Sequence, residues 1–422
     1  MRILMMTNTY LPHVGGVAHS VESFTSAYRS QGHRVVVVAP TFEDMPEHEV
    51  DVVRVPAIEQ INGTDFSWRL PIPGFLSTAL DRCTPEIVHS HHPFLLGDTA
   101  LRVAAARSVP VVFTWHTMYE KYVHYLVSDT ELFQRFMMQM AVRYANLCDA
   151  VIAPSESIRA IIRDRGVESP VHVIPTGIDV ERFAAGDGHR FRDRRNIPRD
   201  AFVIGHTGRL APEKNLSLLA AAAADCLEQL GERAWFLVVG EGPSSDAIRE
   251  VFASKNLADR LVAPGTLKGS ELVDAYAAMD VFAFASLTET QGMVLAEAMA
   301  AGVPVVAVSA PGADEVVSDG RNGILVRRAD ASILAHALLR LASAPAETRE
   351  QMSSLARKRA RELSIERCAE QALQLYHAVI ASPRNRDTAW TEHRSHMLRQ
   401  VETEWNLWST RVEAAISALL GR

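Results

Sequence analysis

VFAFASLTETQGMVLAEAMAAGVPVVAV, residues 281–308, decides the fold. It opens with an apolar run (281–285) and a polar loop (286–291). A second apolar stretch starts near Gly292, and after Gly302 and Pro304 a third follows. Short apolar runs bounded by breakers predict buried parallel strands, and the stretch between them has the length of a crossover helix. That helix is apolar at Met293, Val294, Leu295, Ala296, Ala298, Met299 and Ala300, with one carboxylate, Glu297, in its middle. A buried carboxylate is costly unless it is paired or hydrogen-bonded. A second carboxylate, Glu289, lies in the preceding loop.

The start of such a helix offers amides without intrahelical partners and the positive end of a dipole, which suits a phosphate. Phosphates on those amides, with a carboxylate on each side accepting from a sugar or ribose hydroxyl, suit a sugar nucleotide. In a chain with 50 acidic residues such a pair also arises by chance. The bland reading of Glu297 is a helix residue paired to a structural arginine.

Outward from this stretch, 422 residues leave room for two or three domains. A hydrophobic share of 48% and a charged share of 22% are ordinary for a soluble globular protein. The net charge of −7 argues against a nucleic-acid binder and weakens purely electrostatic attachment to anionic lipid. Cys83, Cys148, Cys226 and Cys368 show no metal-like or redox pairing, which suggests a reduced, cytoplasmic protein. The start, MRILMMTNTY, lacks the length and cleavage site of a signal peptide, and no stretch is long enough to span a bilayer.

Strands are predicted at 2–7, 33–40, 50–56, 86–91, 109–115 and 149–155. The first two enclose a loop with Gly15-Gly16 and a helix over 18–31, the opening of a doubly wound sheet. The glycine pair permits close backbone approach to an anion, or is a simple tight turn. His116 follows a strand at its carboxyl end, where ligands of open α/β sheets bind. His89, His91 and His92 cluster after another strand, but no acidic residue has metal-ligand spacing to them. The aromatic and methionine-rich stretch 118–144 and the segment FSWRLPIPGFL (66–76) read either as core or as faces meeting an apolar acceptor or membrane interface.

Residues 183–200 read as an irregular linker, with the basic run 190–195 a solvated surface. A second doubly wound unit begins at AFVIGHTGRL (201–210), where Arg209 and Lys214 stand at a strand–helix junction, placed for a diphosphate. Gly240 and Gly242 allow close approach at another strand end, and the loop 265–267 is placed for a nucleobase edge. Two such halves would set their binding edges across a cleft. In the tail, an amphipathic helix over 364–380 precedes a heptad-like seam at Leu398, Val401, Trp405, Trp408, Val412, Ala415 and Leu419. Its opposite face is not net basic, which favours packing on its own body or a second subunit over a lipid anchor.

Together these motifs resemble the retaining glycosyltransferases of GT-B architecture, family 4. The resemblance rests on VGGV (14–17), TWHT (114–117), PTGID (175–179), GRLAPEKN (208–215), GEGP (240–243) and ETQGMVLAEAMAAGVPVV (289–306), over residues 1–380. WHTMYEKYVHYL (115–126) and ETQG (289–292) most resemble bacterial diacylglycerol glucosyltransferases. It implies two Rossmann-like domains: acceptor domain 1–182, linker 183–200, donor domain 201–363, a crossover helix 364–382 returning to the first domain, and an extra helix 386–421. It implies that Gly16 lets amides meet the donor phosphates, that Arg209 and Lys214 neutralise the leaving diphosphate, and that Glu289 holds sugar hydroxyls. Glu297 would bind the ribose and His116 the sugar near its reacting end. Gly240, Glu241, Leu267, Gly292, Met293 and Val294 complete the donor contacts.

The expected activity is transfer of a hexose from a UDP sugar to a lipid such as diacylglycerol, with no metal or other cofactor. A soluble or polysaccharide acceptor is the alternative, and a sugar-nucleotide epimerase or binding protein on the same architecture is a rival of another class. The expected location is cytoplasmic or peripheral on the inner face of the cell membrane, with the tail helix a candidate oligomer contact.

Overall fold

The structure is a computed structural model that describes residues 1–13, 15–42, 44–56, 83–118, 131–382 and, in the tail, 403, 406, 407, 410 and 411. The segments 66–76 and 119–130, together with the expected seam of the tail, lie outside the described residues. The chain forms two compact units, Met1–Gly177 with Glu366–Arg422, and Ile178–Ile365.

Unit one runs β1 (Arg2–Met6), α1 (Gly16–Ser30), β2 (Arg34–Pro40), β3 (Val52–Val55), β4 (Ile87–Ser90), α2 (Leu96–Arg107), β5 (Val111–Thr114), α3 (Glu131–Asn146), β6 (Ala150–Ala153), α4 (Glu156–Asp164) and β7 (Val171–Val173). Its strands form one parallel sheet in the order β3-β2-β1-β4-β5-β6-β7. The order reverses direction between β1 and β4, which opens a crevice at their carboxyl ends.

Unit two begins with α5 (Val180–Ala184) and α6 (Gly188–Arg195) and continues through β8 (Phe202–Thr207), α7 (Leu216–Leu230), β9 (Ala234–Val239), α8 (Ser245–Ser254), β10 (Leu261–Gly265), α9 (Gly269–Ala277), β11 (Val281–Phe284), α10 (Met293–Ala300), β12 (Val305–Val308), α11 (Pro311–Val316), β13 (Gly323–Val326), α12 (Ala331–Ala342) and α13 (Ala346–Glu362). Its parallel sheet has the order β10-β9-β8-β11-β12-β13, reversing between β8 and β11. Alternate residues of β11 enter separate cores: Phe282 and Phe284 join one, Val281 and Ala283 the other. A sheet covered on both faces needs apolar residues at every position, which is why its strands read as unbroken runs.

The last helix, α14 (Ile365–Ile380), begins where the chain leaves unit two. There the amide of Ile365 donates to Ile178 O at 2.9 Å, and Ile178 N donates to Leu363 O at 3.0 Å, tying the two chain crossings together. Tyr376 of α14 is fully buried and joins Tyr28 and His89 of unit one. In the tail, Leu407 is buried in the unit-one core and Arg411 pairs with Asp98. Leu407 lies off the seam expected there. Among the described residues no helix is long and apolar enough to cross a membrane.

The segment expected as a linker is instead a folded part of unit two. Asp179 and Asp187 cap α5 and α6 by accepting from the amides of Arg182 and Arg190 at 3.0 and 2.9 Å. Phe183, Phe191 and Ile197 enter the core. The basic run is also not merely solvated. Arg190 forks onto Asp274 at 2.8 and 2.7 Å. Arg192 is buried and donates to Ala278 O, Arg199 O, Ala201 O and the Asp280 carboxylate at 2.7–3.0 Å. A planar guanidinium reaching several carbonyls fixes this segment more firmly than apolar contact alone.

Arg192→Met should therefore leave those carbonyls without their donor and Asp280 without its cation, and lower the stability of unit two by about 3 kcal/mol in urea unfolding. Arg194→Ala, an exposed neighbour, should shift it by less than about 0.5 kcal/mol.

Candidate active site

In unit two the reversal point falls between the loop after β8, which carries Arg209 and Lys214, and the loop after β11, which carries Glu289. Lys214 closes a short 3₁₀ turn, Pro212–Lys214, with its amide on Ala211 O at 2.9 Å. Its ammonium forms an ion pair with Glu289, each side chain 18% exposed. Arg209 pairs with Glu213 and remains 44% exposed at its side chain. Ser286 Oγ donates to Glu213 O at 3.3 Å, so the two loops are tied through backbone as well as charge. The Glu289 carboxylate presents to the ammonium an oxygen of the kind a phosphate would offer.

Glu289 leads into Gly292, the residue before α10, at φ +73°. Only glycine enters the left-handed region freely, and a Cβ there would also lie 2.9 Å from Leu295 Cδ1. The turn it makes starts α10 abruptly, leaving the amides of Met293 and Val294 in its first turn, where a helix has no internal acceptor for them. Behind that end, Leu295, Ala296, Ala298, Met299 and Ala300 are buried.

Glu297 accepts from the Tyr276 hydroxyl at 2.6 Å. Burial raises its pKa above the usual carboxylate range, partly offset by that hydrogen bond and by the nearby charge of Arg182. Its hydrogen-bond partner is therefore a tyrosine, where the bland reading supplied an arginine. Tyr276 is one of two site residues that sequence reasoning missed. The other is His206, 1% exposed, whose Nδ1 donates to Ala283 O at 3.0 Å. Burial pushes the His206 pKa down to about 4, so it is a neutral floor beneath Lys214 and Glu289. Its position inside β8 hid it among strand residues.

Gly240 has φ +128°, and a Cβ on it would fall 1.9 Å from Gly208 O. The turns after β8 and β9 therefore touch backbone to backbone. Beside them a cavity of about 240 Å³ is lined by Leu210, Val238, Gly240, Glu241, Ile248 and Gly265, among others. Within the loop expected beside a base edge, 265–267, Gly265 lines the cavity and the Leu267 side chain joins the core.

In unit one the reversal point lies between β1 and β4. Gly16 is the first residue of α1, and a Cβ there would meet nothing within 4 Å. No packing demands glycine at that position. Asn8, after β1, donates its amide to His92 Nδ1 at 3.1 Å and accepts from Leu96 N at 3.2 Å, which joins this loop to the one after β4. His116 follows β5 and is half-buried. Its Nε2 lies 2.9 Å from His91 Nδ1. Burial pushes the pKa of His116 and of His89 down to about 3, so both are neutral at pH 7. The histidine cluster is knit internally: His89 and His91 rings lie 4.1 Å apart, and His89 Nε2 is 2.7 Å from Thr114 Oγ1. Among the described residues no group of three or more His, Cys, Asp or Glu is arranged to hold a metal ion.

The structure thus brings Arg209, Lys214, Glu289, Gly292, Met293 and Val294 together at one reversal point, with Glu297 inside α10 and Gly240 and Glu241 beside the cavity. Gly16 and His116 belong to the other unit.

Comparison with known proteins follows this division. Residues 14–182 match the pattern described as Glycosyltransferase Family 4, and residues 188–359 match Glycosyl transferases group 1. The chain is 32% identical over 337 residues to the alpha-monoglucosyldiacylglycerol synthase of Streptococcus pneumoniae (strain ATCC BAA-255 / R6), covering 77% of this chain and 75% of that one. It is 30% identical over 338 residues to the GDP-mannose-dependent alpha-mannosyltransferase of Mycobacterium tuberculosis (strain CDC 1551 / Oshkosh), covering 77% and 83%. Among solved structures, Anabaena Alr3699/HepE in complex with UDP superposes with a TM-score of 0.71 at 22% identity, covering 90% of this chain and 100% of that one. That likeness concerns the fold.

Glu297 yields a pH prediction. Its pKa is raised on folding, so its contribution favours the folded state at low pH and is lost as pH rises through the folded value. At pH 8 ionisation of this half-buried carboxylate is a net cost. Glu297→Gln, which still accepts from Tyr276, should melt above the wild type at pH 8, with the gap closing as pH is lowered. Differential scanning calorimetry across pH checks this; a lower melting point for Glu297→Gln at pH 8 contradicts it.

Proposed function

From a chain that belongs to glycosyltransferase family 4 and has its GT-B architecture, we propose a retaining enzyme that moves a hexose from a UDP sugar to a lipid acceptor such as diacylglycerol. Membership makes the protein a glycosyltransferase, so the epimerase and binding-protein alternative gives way. The observation that carries the finer reading is the arrangement at the β8–β11 reversal: one ammonium, one guanidinium and the start of α10 on neighbouring strand ends.

Breaking the bond between the anomeric carbon and the diphosphate leaves its electron pair on the phosphate oxygen and positive charge on the sugar. Arg209, Lys214 and the α10 amides stabilise that oxygen more as its charge grows, which lowers the barrier instead of merely tightening binding. Glu289, released from Lys214 by the arriving diphosphate, accepts from sugar hydroxyls. With Glu289 so engaged, no carboxylate is assigned as a nucleophile. The acceptor hydroxyl then attacks from the face the diphosphate leaves, and its proton passes to the departing phosphate. Glu297 accepts from the ribose, and the cavity beside Gly240 and Glu241 takes the base end of the nucleotide. His116 contacts the sugar near its reacting carbon, and Gly16 leaves room for the phosphates.

The lipid acceptor is supported by the name of the Streptococcus pneumoniae relative, and a peripheral place on the membrane follows from it. The Mycobacterium tuberculosis relative's name makes GDP-mannose the donor to test beside UDP-glucose. The deciding assay is nucleoside diphosphate release from each donor with and without diacylglycerol vesicles. Release from UDP-glucose that depends on diacylglycerol is expected. Release from GDP-mannose alone, or release unaffected by the lipid, overturns the donor or acceptor assignment respectively. Arg209→Ala and Lys214→Ala should each reduce kcat about 100-fold, with the melting point little changed in Arg209→Ala and lowered in Lys214→Ala, which strands Glu289 without its cation. Near-normal turnover in both would remove the leaving-group role.

A further inference from the structure

Under His116 lies a series of hydrogen bonds whose polarity is set by one atom. His91 Nε2 is 3.2 Å from Met5 Sδ. A thioether sulfur has lone pairs and no proton, so the proton on that contact belongs to His91. His91 is fully buried, and burial, with the other histidines around it, holds its pKa well below the imidazole range. It is therefore neutral and carries one proton, on Nε2. Its Nδ1 is an acceptor, and the atom facing it at 2.9 Å, His116 Nε2, must donate. His116, also neutral, then has its single proton on Nε2 and a lone pair on Nδ1.

The same logic continues beneath. Tyr28 OH donates to Tyr376 OH at 3.3 Å, so Tyr376 gives its own proton to His89 Nδ1 at 2.5 Å. His89 Nε2 is left to donate to Thr114 Oγ1 at 2.7 Å. The His89 ring packs at 4.1 Å on His91, whose backbone amide is fixed on Met6 O at 3.0 Å. The His91 and His116 rings stack 5.2 Å apart at 24°. A flip of the His91 ring would turn carbons toward His116 and Met5 and lose both contacts.

We propose that His91, backed by Met5, is a positioning residue that holds His116 as the Nε2–H tautomer, so that His116 meets the transferred sugar with a hydrogen-bond acceptor. This rests on the reading that His116 contacts that sugar. The consequence is selective. An Nδ1 lone pair takes a hydrogen bond from a hydroxyl and repels an ether oxygen or a phosphate oxygen. A donor lacking the hydroxyl opposite His116 loses that bond.

The test uses full-length protein with ¹⁵N-labelled histidine and three variants. His91→Asn places an amide oxygen near the former Nδ1 and keeps an acceptor there. His91→Leu removes it, and His116→Ala removes the contact itself. Nitrogen chemical shifts report the His116 tautomer, and kcat and KM are measured with UDP-glucose. Wild type should show Nε2–H at His116. His91→Leu should mix the tautomers and lower kcat on the order of tenfold, as loss of a supporting hydrogen bond does elsewhere. His91→Asn should restore both. Wild-type His116 protonated at Nδ1 overturns the proposal, as does a His91→Leu protein with tautomer and kcat unchanged. Unimpaired kcat in His116→Ala removes the sugar-contact reading and this proposal with it. Impairment there without impairment in His91→Leu removes this proposal alone. Should His91→Leu fail to fold, the wild-type tautomer and His91→Asn decide.

Discussion

The ion pair between Lys214 and Glu289 is the constraint around which unit two is built. Each partner stands on a loop that continues one of the two strands flanking the sheet's reversal, and each is mostly removed from water. Either charge alone would be costly at that depth, so neither loop can settle without the other. The surrounding features serve this approach. Gly240 presses the turn after β9 against Gly208, Ser286 bonds the backbone at Glu213, and His206 is kept neutral below. A neutral floor matters because a second cation there would compete with Lys214 for its carboxylate.

The two units divide the electrostatic work. Unit two presents full charges, Arg209 exposed and Lys214 partly so, suited to an anion. Unit one presents histidines that burial keeps uncharged, suited to oriented hydrogen bonds. An imidazolium would carry a full charge and no acceptor, so the burial that suppresses protonation also preserves the acceptor nitrogens of this cluster.

Much of the architecture could be read from residues alone, because a parallel sheet covered on both faces writes its strands as unbroken apolar runs, as at 281–284 and 305–308. Strand ends then point to Arg209, Lys214 and His116 without further help. What stayed hidden depends on partners distant in sequence. Residues 183–200 looked like a linker because five arginines mask the few apolar residues, and the acceptors that make Arg192 a core residue are supplied from residues 199–201 and 278–280. Leu267 shares a loop with the cavity-lining Gly265, but its own side chain turns inward. Tyr276 answers Glu297 from the helix before β11, a spacing no motif encodes. The histidine stack with its neighbours gathers residues 5, 89, 91, 116 and 376, which no local pattern could join.

The socket filled by Tyr376 has a temporal side. Unit one is discontinuous: its first stretch ends at Gly177 and its closing helix begins at Glu366, with the whole of unit two translated in between. At ribosomal speeds that interval is on the order of ten seconds or more. Throughout it the phenol of Tyr28 and the ring of His89 lack their last neighbour, and the nascent amino-terminal sheet waits with an unfilled apolar slot. Unit two is fully synthesised before the closing helix, so the earlier-made half is completed only once residues 366–380 have emerged.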